Sequence, residues 1–144
     1  MSDFNAKFPL HIRFCDFDSL GHVNNADFLS YMEDARVNYF EKLLHEKEVD
    51  WWQDGIILGR VEIDFKKPIT GFHHYFISIR CSRIGNKSFD FAYLITHEEN
   101  NSIETIAEAK SVMVCYDYAN KITVPVYEDW IEKMEKFEGK KLRS

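Results

Sequence analysis

Cysteine is scarce: the 144-residue chain has three, Cys15, Cys81 and Cys115, an odd number with no C-x-x-C spacing. That usage offers neither a disulfide framework nor a zinc ligand set and leads to the expectation of a reduced, cytoplasmic protein. No apolar run approaches the ~20 residues that cross a bilayer, and residues 1–10 lack the charged start and apolar stretch of a secretory leader. No membrane partner is expected. Positive charge is also short. With 18 Lys and Arg against 24 Asp and Glu, the net charge of −6 argues against nucleic acid as a partner. Linkers rich in Pro, Gly or Ser, low-complexity tracts and internal repeats are missing, so residues 1–144 are expected to form one domain. The chain has no G-x-S-x-G elbow, no G-x-x-x-x-G-K-[ST] phosphate loop and no H-E-x-x-H pair, which disfavours serine hydrolase, nucleotidase and metalloenzyme chemistry. His11, His45, His73, His74 and His97 are scattered without ligand spacing, and neither metal nor cofactor is expected.

Apolar residues are plentiful, at 45% overall with 12 Phe, enough for a well-packed core. Alternation near residues 8–14 suggests a first strand. Asn24 or Asn25 then caps a helix over residues 26 to about 45, with Asp27 suited to its positive end. Phe28, Met32, Ala35, Tyr39 and Leu43 form one stripe, and Leu29, Tyr31, Phe40 and Leu44 widen it over most of the circumference. Such a helix should be wrapped. Val61, Ile63 and Phe65 alternate with charged residues in a strand over 60–69. Tyr75 to Cys81 and Phe89 to Ile95 alternate likewise around a tight turn at 84–87. After a turn at Asn100-Asn101, the strand over 103–118 carries a face of mostly small residues, Ala107, Ala109, Ser111, Met113 and Cys115, suited to a sheet that curves closely around a helix. Residues 126–137 read as a short surface helix. The fold class is α+β: a long central helix wrapped by a curved, antiparallel five-stranded sheet, with an extra C-terminal helix. A sheet edge and part of the helix remain to be covered, so a dimer is expected.

The chemistry concentrates in residues 14–25, where the carboxylate of Asp18 precedes a helix start and Gly21 lets the backbone turn between them. A helix N-terminus presents unpaired N–H donors at the positive end of a dipole. A carboxylate beside such donors suits hydrolysis of an acyl ester or thioester, where one group attacks or activates water and the other holds the oxyanion. From composition alone Asp18 reads instead as a loop cap on the N–H of Gly21 or His22. His22 reads equally as a packed histidine and as a catalyst. Tyr31 reads as core or pocket lining, Glu33 and Arg36 as a structural pair at i, i+3. Cys15, flanked by acid rather than by the cations that activate a thiol, reads as buried and structural.

The pattern Asp16-x-Asp18-x-x-Gly21-His22-Val23-Asn24-Asn25, followed by Tyr31-Met32-Glu33 and Ala35-Arg36, resembles the signature of hotdog-fold acyl-CoA thioesterases of the 4-hydroxybenzoyl-CoA thioesterase-like group. The likeness runs on through 61–68, 83–89 and 107–117. It implies hydrolysis of an acyl-CoA to a carboxylic acid and free CoA, with CoA as part of the substrate. Asp18 takes the catalytic position as nucleophile or general base. Residues Val23, Asn24 and Asn25 supply the oxyanion donor, with Asn25 the best match, and Gly21 completes the turn beside the substrate. Asp16 becomes a structural partner, bonded to Arg36 or to loop backbone. Phe28, Tyr31 and Val61 would line the acyl pocket, and Lys67, Arg83, Lys87 and Ser88 would meet the CoA phosphates, although by themselves these cations read as solvated strand edges. The resemblance further implies a homodimer with two sites at the subunit seam, assembling into a homotetramer. Other hotdog branches use a helix Glu, which makes Glu33 a reserve candidate, or a His-Phe-Pro-x-x-Pro-Gly motif, which is absent. Two further readings are a thioesterase acting on acyl carrier protein, disfavoured by the shared acidic charge, and a non-catalytic acyl-ligand binding module, against which the retained Asp18 argues.

Overall fold

The computed structural model describes residues 3–44 and 54–143. In it the chain runs through β1 (Ala6–Pro9), a 3-10 turn (Phe14–Asp16), α1 (Asp27–Leu44), β2 (Gly55–Phe65), β3 (Tyr75–Ile84), β4 (Ser88–Glu99), β5 (Ser102–Asp117), β6 (Ile122–Thr123) and α2 (Glu128–Glu138). The principal sheet has the order β1-β3-β4-β5-β2, all neighbours antiparallel, and the two-residue β6 adds to the end of β5. Hairpin chemistry sets the two inner connections. Gly85 N–H donates to Ser88 O at 2.8 Å, and Asn100 and Asn101 take left-handed φ angles of 53° and 62°, which asparagine tolerates better than most residues.

The small-residue face of β5 lies against the core as expected: Ala107, Ala109, Ser111, Met113 and Cys115 are all buried. Register shifts between Leu58 and Arg60, Cys81 and Arg83, and Ile95 and Thr96 add local bends to the strands. Gly59 occupies the first of these, where an added Cβ would meet Val114 Cγ2 at 3.0 Å.

Several expectations need correction. The first strand is Ala6–Pro9, earlier than 8–14, because residues 14–16 turn around the buried Asp16. β2 begins at Gly55, five residues before the alternation does, since the continuous apolar run Ile56-Ile57-Leu58 pairs along Met113–Cys115 without alternating. It ends at Phe65, where the N–H groups of Lys66 and Lys67 converge on the carbonyl of Ile106. The central helix ends its described portion at Leu44; position 45 lies outside the described residues. Nor is that helix buried over most of its circumference. Phe28, Tyr31, Met32, Ala35, Arg36, Tyr39, Phe40, Leu43 and Leu44 are buried, whereas Leu29 and Val37 on the opposite face are 42% and 54% exposed.

The C-terminal helix is no surface element. Trp130, Ile131, Met134 and Glu138 are buried, and the Trp130 ring packs 5.1 Å from Phe40 and 6.4 Å from Phe89. Fully burying an aromatic side chain contributes about 1.5–3 kcal/mol, so α2 closes the core rather than decorating it. Glu138 accepts from Tyr39 Oη at 2.7 Å and from Cys81 N–H at 3.0 Å, fastening α2 to both α1 and β3. Gly139 stops the helix in a left-handed conformation, φ 74°. Among the described residues, no helix is long and apolar enough to cross a membrane.

Candidate active site

The loop between the 3-10 turn and α1 is built on Asp16. Its carboxylate is 1% exposed. Oδ2 accepts from the Arg13 N–H at 3.0 Å and the Tyr31 hydroxyl at 2.7 Å, while Oδ1 accepts from Arg13 Nε at 3.0 Å and lies 2.9 Å from Arg13 Nη2. Burial alone would push this carboxyl up; the Arg13 N–H, the Tyr31 hydroxyl and the Arg13 guanidinium outweigh it and hold the group below its ordinary range. The same surroundings, burial first and then the Asp16 charge, push the Tyr31 phenol far up and keep it protonated as a donor. Arg36 plays no part here. It is buried and donates to Tyr93 Oη at 3.1 Å, so of the two partners expected for Asp16 the loop backbone is the one found, through the Arg13 N–H, and the expected Glu33–Arg36 pair gives way to an inward-turned arginine. Glu33 is exposed on the helix surface, outside the cleft described below.

From Asp16 the chain makes a narrow excursion closed by an antiparallel bridge between Phe17 and Val23. Gly21, with φ 77°, turns it. Asp18 sits on this excursion, exposed, with Oδ1 accepting from the N–H groups of Leu20 at 2.9 Å and His22 at 3.3 Å. The capping behaviour legible from composition is therefore present, with Leu20 in place of Gly21 as one donor. It occupies one oxygen. Oδ2 receives no hydrogen bond from the described residues. His22 is exposed rather than packed.

The helix start has a matching open group on the donor side. Val23 N–H donates to Ile69 O at 3.0 Å, Asn24 N–H to Asp16 O at 2.8 Å, Asp27 N–H to Asn24 O at 2.9 Å and Phe28 N–H to Asn25 O at 3.2 Å. Ala26 N–H is capped by the Asn24 side chain at 2.9 Å. From Val23 to Phe28, the N–H of Asn25 alone has no acceptor among the described residues. The carboxylate oxygen and the helix-start amide left without partners among the described residues thus belong to Asp18 and Asn25, both of which line one cleft.

That cleft, about 460 Å³, is lined by Asp18, His22, Val23, Asn24, Asn25, Phe28, Phe65, Lys66, Lys67 and Pro68. Phe65, 44% exposed, stands edge-on to Phe28 with centroids 5.0 Å apart. Of the residues singled out from sequence, Asp18, His22, Val23, Asn24, Asn25, Phe28 and Lys67 come together here, with Gly21 at the turn behind them. Phe65 and Pro68 were missed; the signal available was only that they end the strand leading to the loop. Tyr31 lies beneath Asp16 and lines a different, smaller cavity with Phe8, Leu10 and Ile77. Val61, four residues back along β2 from Phe65, does not border the cleft. Arg83, Lys87 and Ser88 flank the far β3–β4 turn, where Arg83 pairs with Asp90 at 3.1 Å. Ser88 registers with Val114 and Phe65 with Ala107, positions separated along β5 by roughly 23 Å at a rise of about 3.3 Å per residue. Lys67 pairs with Glu104, and Lys66 lies 3.8 Å from Glu108. Cys15 is exposed, not buried. Among the described residues, no group of three or more His, Cys, Asp or Glu is placed to hold a metal ion.

Comparison with known proteins converges on one family. Residues 12–134 match the family described as the Thioesterase-like superfamily. The fold superposes on the crystal structure of a thioesterase from Thermus thermophilus complexed with coenzyme A and Zn, with a TM-score of 0.83 and 34% identity over 99% of this chain and 100% of that one. The long-chain acyl-CoA thioesterase FadM of Escherichia coli is 22% identical over 129 residues, 88% of this chain and 94% of FadM. The uncharacterized protein YsmA of Bacillus subtilis is 28% identical over 83 residues, 58% of this chain; the match spans about half of YsmA, 55%.

Proposed function

The chain belongs to the thioesterase-like superfamily of hotdog-fold thioester hydrolases, and from that premise we propose that it hydrolyses acyl-CoA thioesters to a carboxylic acid and CoA at the cleft between Asp18 and Asn25. The observation that carries the reading is a pair of open groups: an unoccupied Oδ2 on Asp18 and an unoccupied N–H on Asn25 at the border of one open pocket. The thioester carbonyl binds with its oxygen toward the Asn25 amide, which receives the negative charge as the carbon becomes tetrahedral. Such a donor contributes about 3 kcal/mol in comparable sites. Asp18 Oδ2 either attacks the carbonyl carbon, expelling the CoA thiolate and leaving an acyl-aspartyl anhydride for water to cleave, or takes a proton from the water that attacks. Mass spectrometry of acid-quenched enzyme separates the routes, because only the first forms an acylated Asp18. Phe28 and Phe65 form the apolar wall for the acyl group, and Lys66 and Lys67 the cationic rim. Coenzyme A bound to the Thermus thermophilus relative supports a CoA ester over other thioesters.

Two copies pairing antiparallel along β2 complete the site in this reading. Among the described residues, β2 has a sheet neighbour on one side only, β5, and it carries exposed Leu58 and Phe65. Antiparallel pairing sets the start of one β2 beside the end of the other. It thereby brings the β3–β4 hairpin of the second copy, with its Arg83, Lys87 and Ser88, to the end of the joined sheet where the first copy's cleft opens, as phosphate contacts.

Thiol release from a panel of aliphatic and aryl acyl-CoAs, and from the same acyl groups on carrier protein, tests the proposal. Turnover of at least one CoA ester is expected, with a loss of about 10²–10⁴-fold in both Asp18→Ala and Asp18→Asn. Unchanged activity in both variants overturns the assignment of Asp18; turnover of carrier-bound groups alone overturns CoA as the substrate.

A further inference from the structure

We propose that Asp16 is a strut common to both halves of the site and that Tyr31 is the positioning residue that sets it, an inference that rests on reading Asp18 and Asn25 as the reacting pair. Asp16 reaches each half by a different route. Its carbonyl accepts the Asn24 N–H at 2.8 Å, which anchors the Val23–Asn24 peptide, the one immediately before the peptide that carries the Asn25 N–H. Two residues along the chain stands Asp18, whose backbone is locked by Asp18 N–H to His22 O at 2.8 Å and by the Phe17–Val23 bridge. The distance between carboxylate and oxyanion donor therefore depends on where Asp16 sits.

Four of the five contacts holding the Asp16 side chain come from Arg13 and Cys15, in the same loop, and Arg13 Nη2 itself lies 4.0 Å from Asp27 Oδ1 at the helix start. Among the described residues, only the Tyr31 hydroxyl, at 2.7 Å, ties that side chain to the helix. Tyr31 is buried one turn beyond Phe28, with the two rings 5.9 Å apart. The wall that orients the acyl group and the strut that orients the reacting groups thus belong to one rigid turn of α1. Tyr31 itself stays out of the cleft, so its effect on the reaction passes through Asp16. A displacement of about 1 Å in a reacting group can cost on the order of 10²-fold in rate, which makes a single hydrogen bond at this junction consequential.

The test is Tyr31→Phe in the full-length protein, which keeps the ring and deletes the tie, with Asp16→Asn as a second variant should the first not fold. Two readouts are taken. Amide hydrogen exchange by NMR should quicken at Val23 and Asn24 by tenfold or more, with β4 and β5 unchanged. On the best acyl-CoA substrate kcat should fall about tenfold with KM within twofold of wild type, and the fall should shrink in an Asp18→Ala background, where only the Asn25 donor remains to be positioned. Unchanged exchange, or unchanged kcat with Asp18→Ala inactive, overturns the strut. A loss of kcat that persists undiminished in the Asp18→Ala background also overturns it, by assigning Tyr31 a merely structural role. Full activity in Asp18→Ala itself defeats the underlying reading instead, and the exchange readout then still decides whether Asp16 and Tyr31 hold the loop.

Discussion

Near its start α1 carries Tyr31, whose hydroxyl donates to Asp16 at 2.7 Å; eight residues on it carries Tyr39, whose hydroxyl donates to Glu138 at 2.7 Å. Both carboxylates are buried, and burial followed by the neighbouring carboxylate's influence pushes both phenols far up. The partners differ. Asp16 is otherwise held by its own loop and supports residues that face an open cleft. Glu138 also accepts the Cys81 N–H, beside the bulge in β3, and joins three elements of the core away from that cleft. In the proposed reading one tyrosine–carboxylate bond positions the reacting groups, while the other closes the fold. A buried hydrogen bond thus takes its role from what its acceptor is attached to.

The Glu138 end should give the largest stability effects. Glu138→Ala leaves the Tyr39 hydroxyl and the Cys81 amide without an acceptor, at about 1–3 kcal/mol for each buried group. A drop in Tm of about 5–15 °C is expected by calorimetry, with kcat of the folded protein unchanged. A loss of activity without a loss of Tm would erase the contrast. Tyr39→Phe is milder, about 1 kcal/mol and roughly 2–4 °C, and should leave kcat alone where Tyr31→Phe does not. An acid titration separates the ends further. Because the folded Asp16 carboxyl titrates below its ordinary 3.8, its contribution to stability is complete above that value and disappears as pH falls through the folded value. The Tm difference between wild type and Asp16→Asn should therefore be full near neutrality and close as pH is taken below 3.8; a difference that widens in acid would contradict the direction of the shift. The smallest effect concerns the cysteines. Cys15, next to Asp16, is exposed, whereas burial and then the Glu138 charge push the Cys81 thiol up to about 12, and burial pushes that of Cys115 up to about 12. Native protein should take up one equivalent of a thiol-reactive dye rapidly, at Cys15, and Glu138→Ala should speed labelling of Cys81.

Much of this architecture was legible because periodicity is local. The β3–β4 and β4–β5 turns, the small face of β5 and the long helix follow from residues adjacent in sequence, and the Asp18 loop shows in a contiguous motif. What escaped depends on partners far apart. Tyr39 and Glu138 are separated by most of the chain, and no local pattern tells that a helix with charges at 128, 129, 132 and 133 buries Trp130 and Glu138. Asp16 could be picked out as structural, and of the two partners expected for it the loop backbone is there, as the Arg13 N–H, while Arg36 faces Tyr93; the Arg13 and Tyr31 side chains that complete its set were not legible. Phe65 read as one member of an alternating strand. Its place opposite Phe28 depends on the strand ending where it does. The exposed half of α1, including Leu29 and Val37, shows that an apolar residue on a helix need not face its own sheet.

The central claim is that the free oxygen of Asp18 acts on a thioester carbonyl held by the Asn25 amide. Its most direct test is the single-turnover rate of Asp18→Asn, against wild type, on the acyl-CoA that wild type cleaves best, with Tm measured on the same samples. A rate lower by about 10²-fold or more, at unchanged Tm and unchanged CoA affinity, is the predicted result. Wild-type speed from the asparagine variant would contradict the account, because an amide at that position can neither attack the carbonyl as a carboxylate nor take a proton from water.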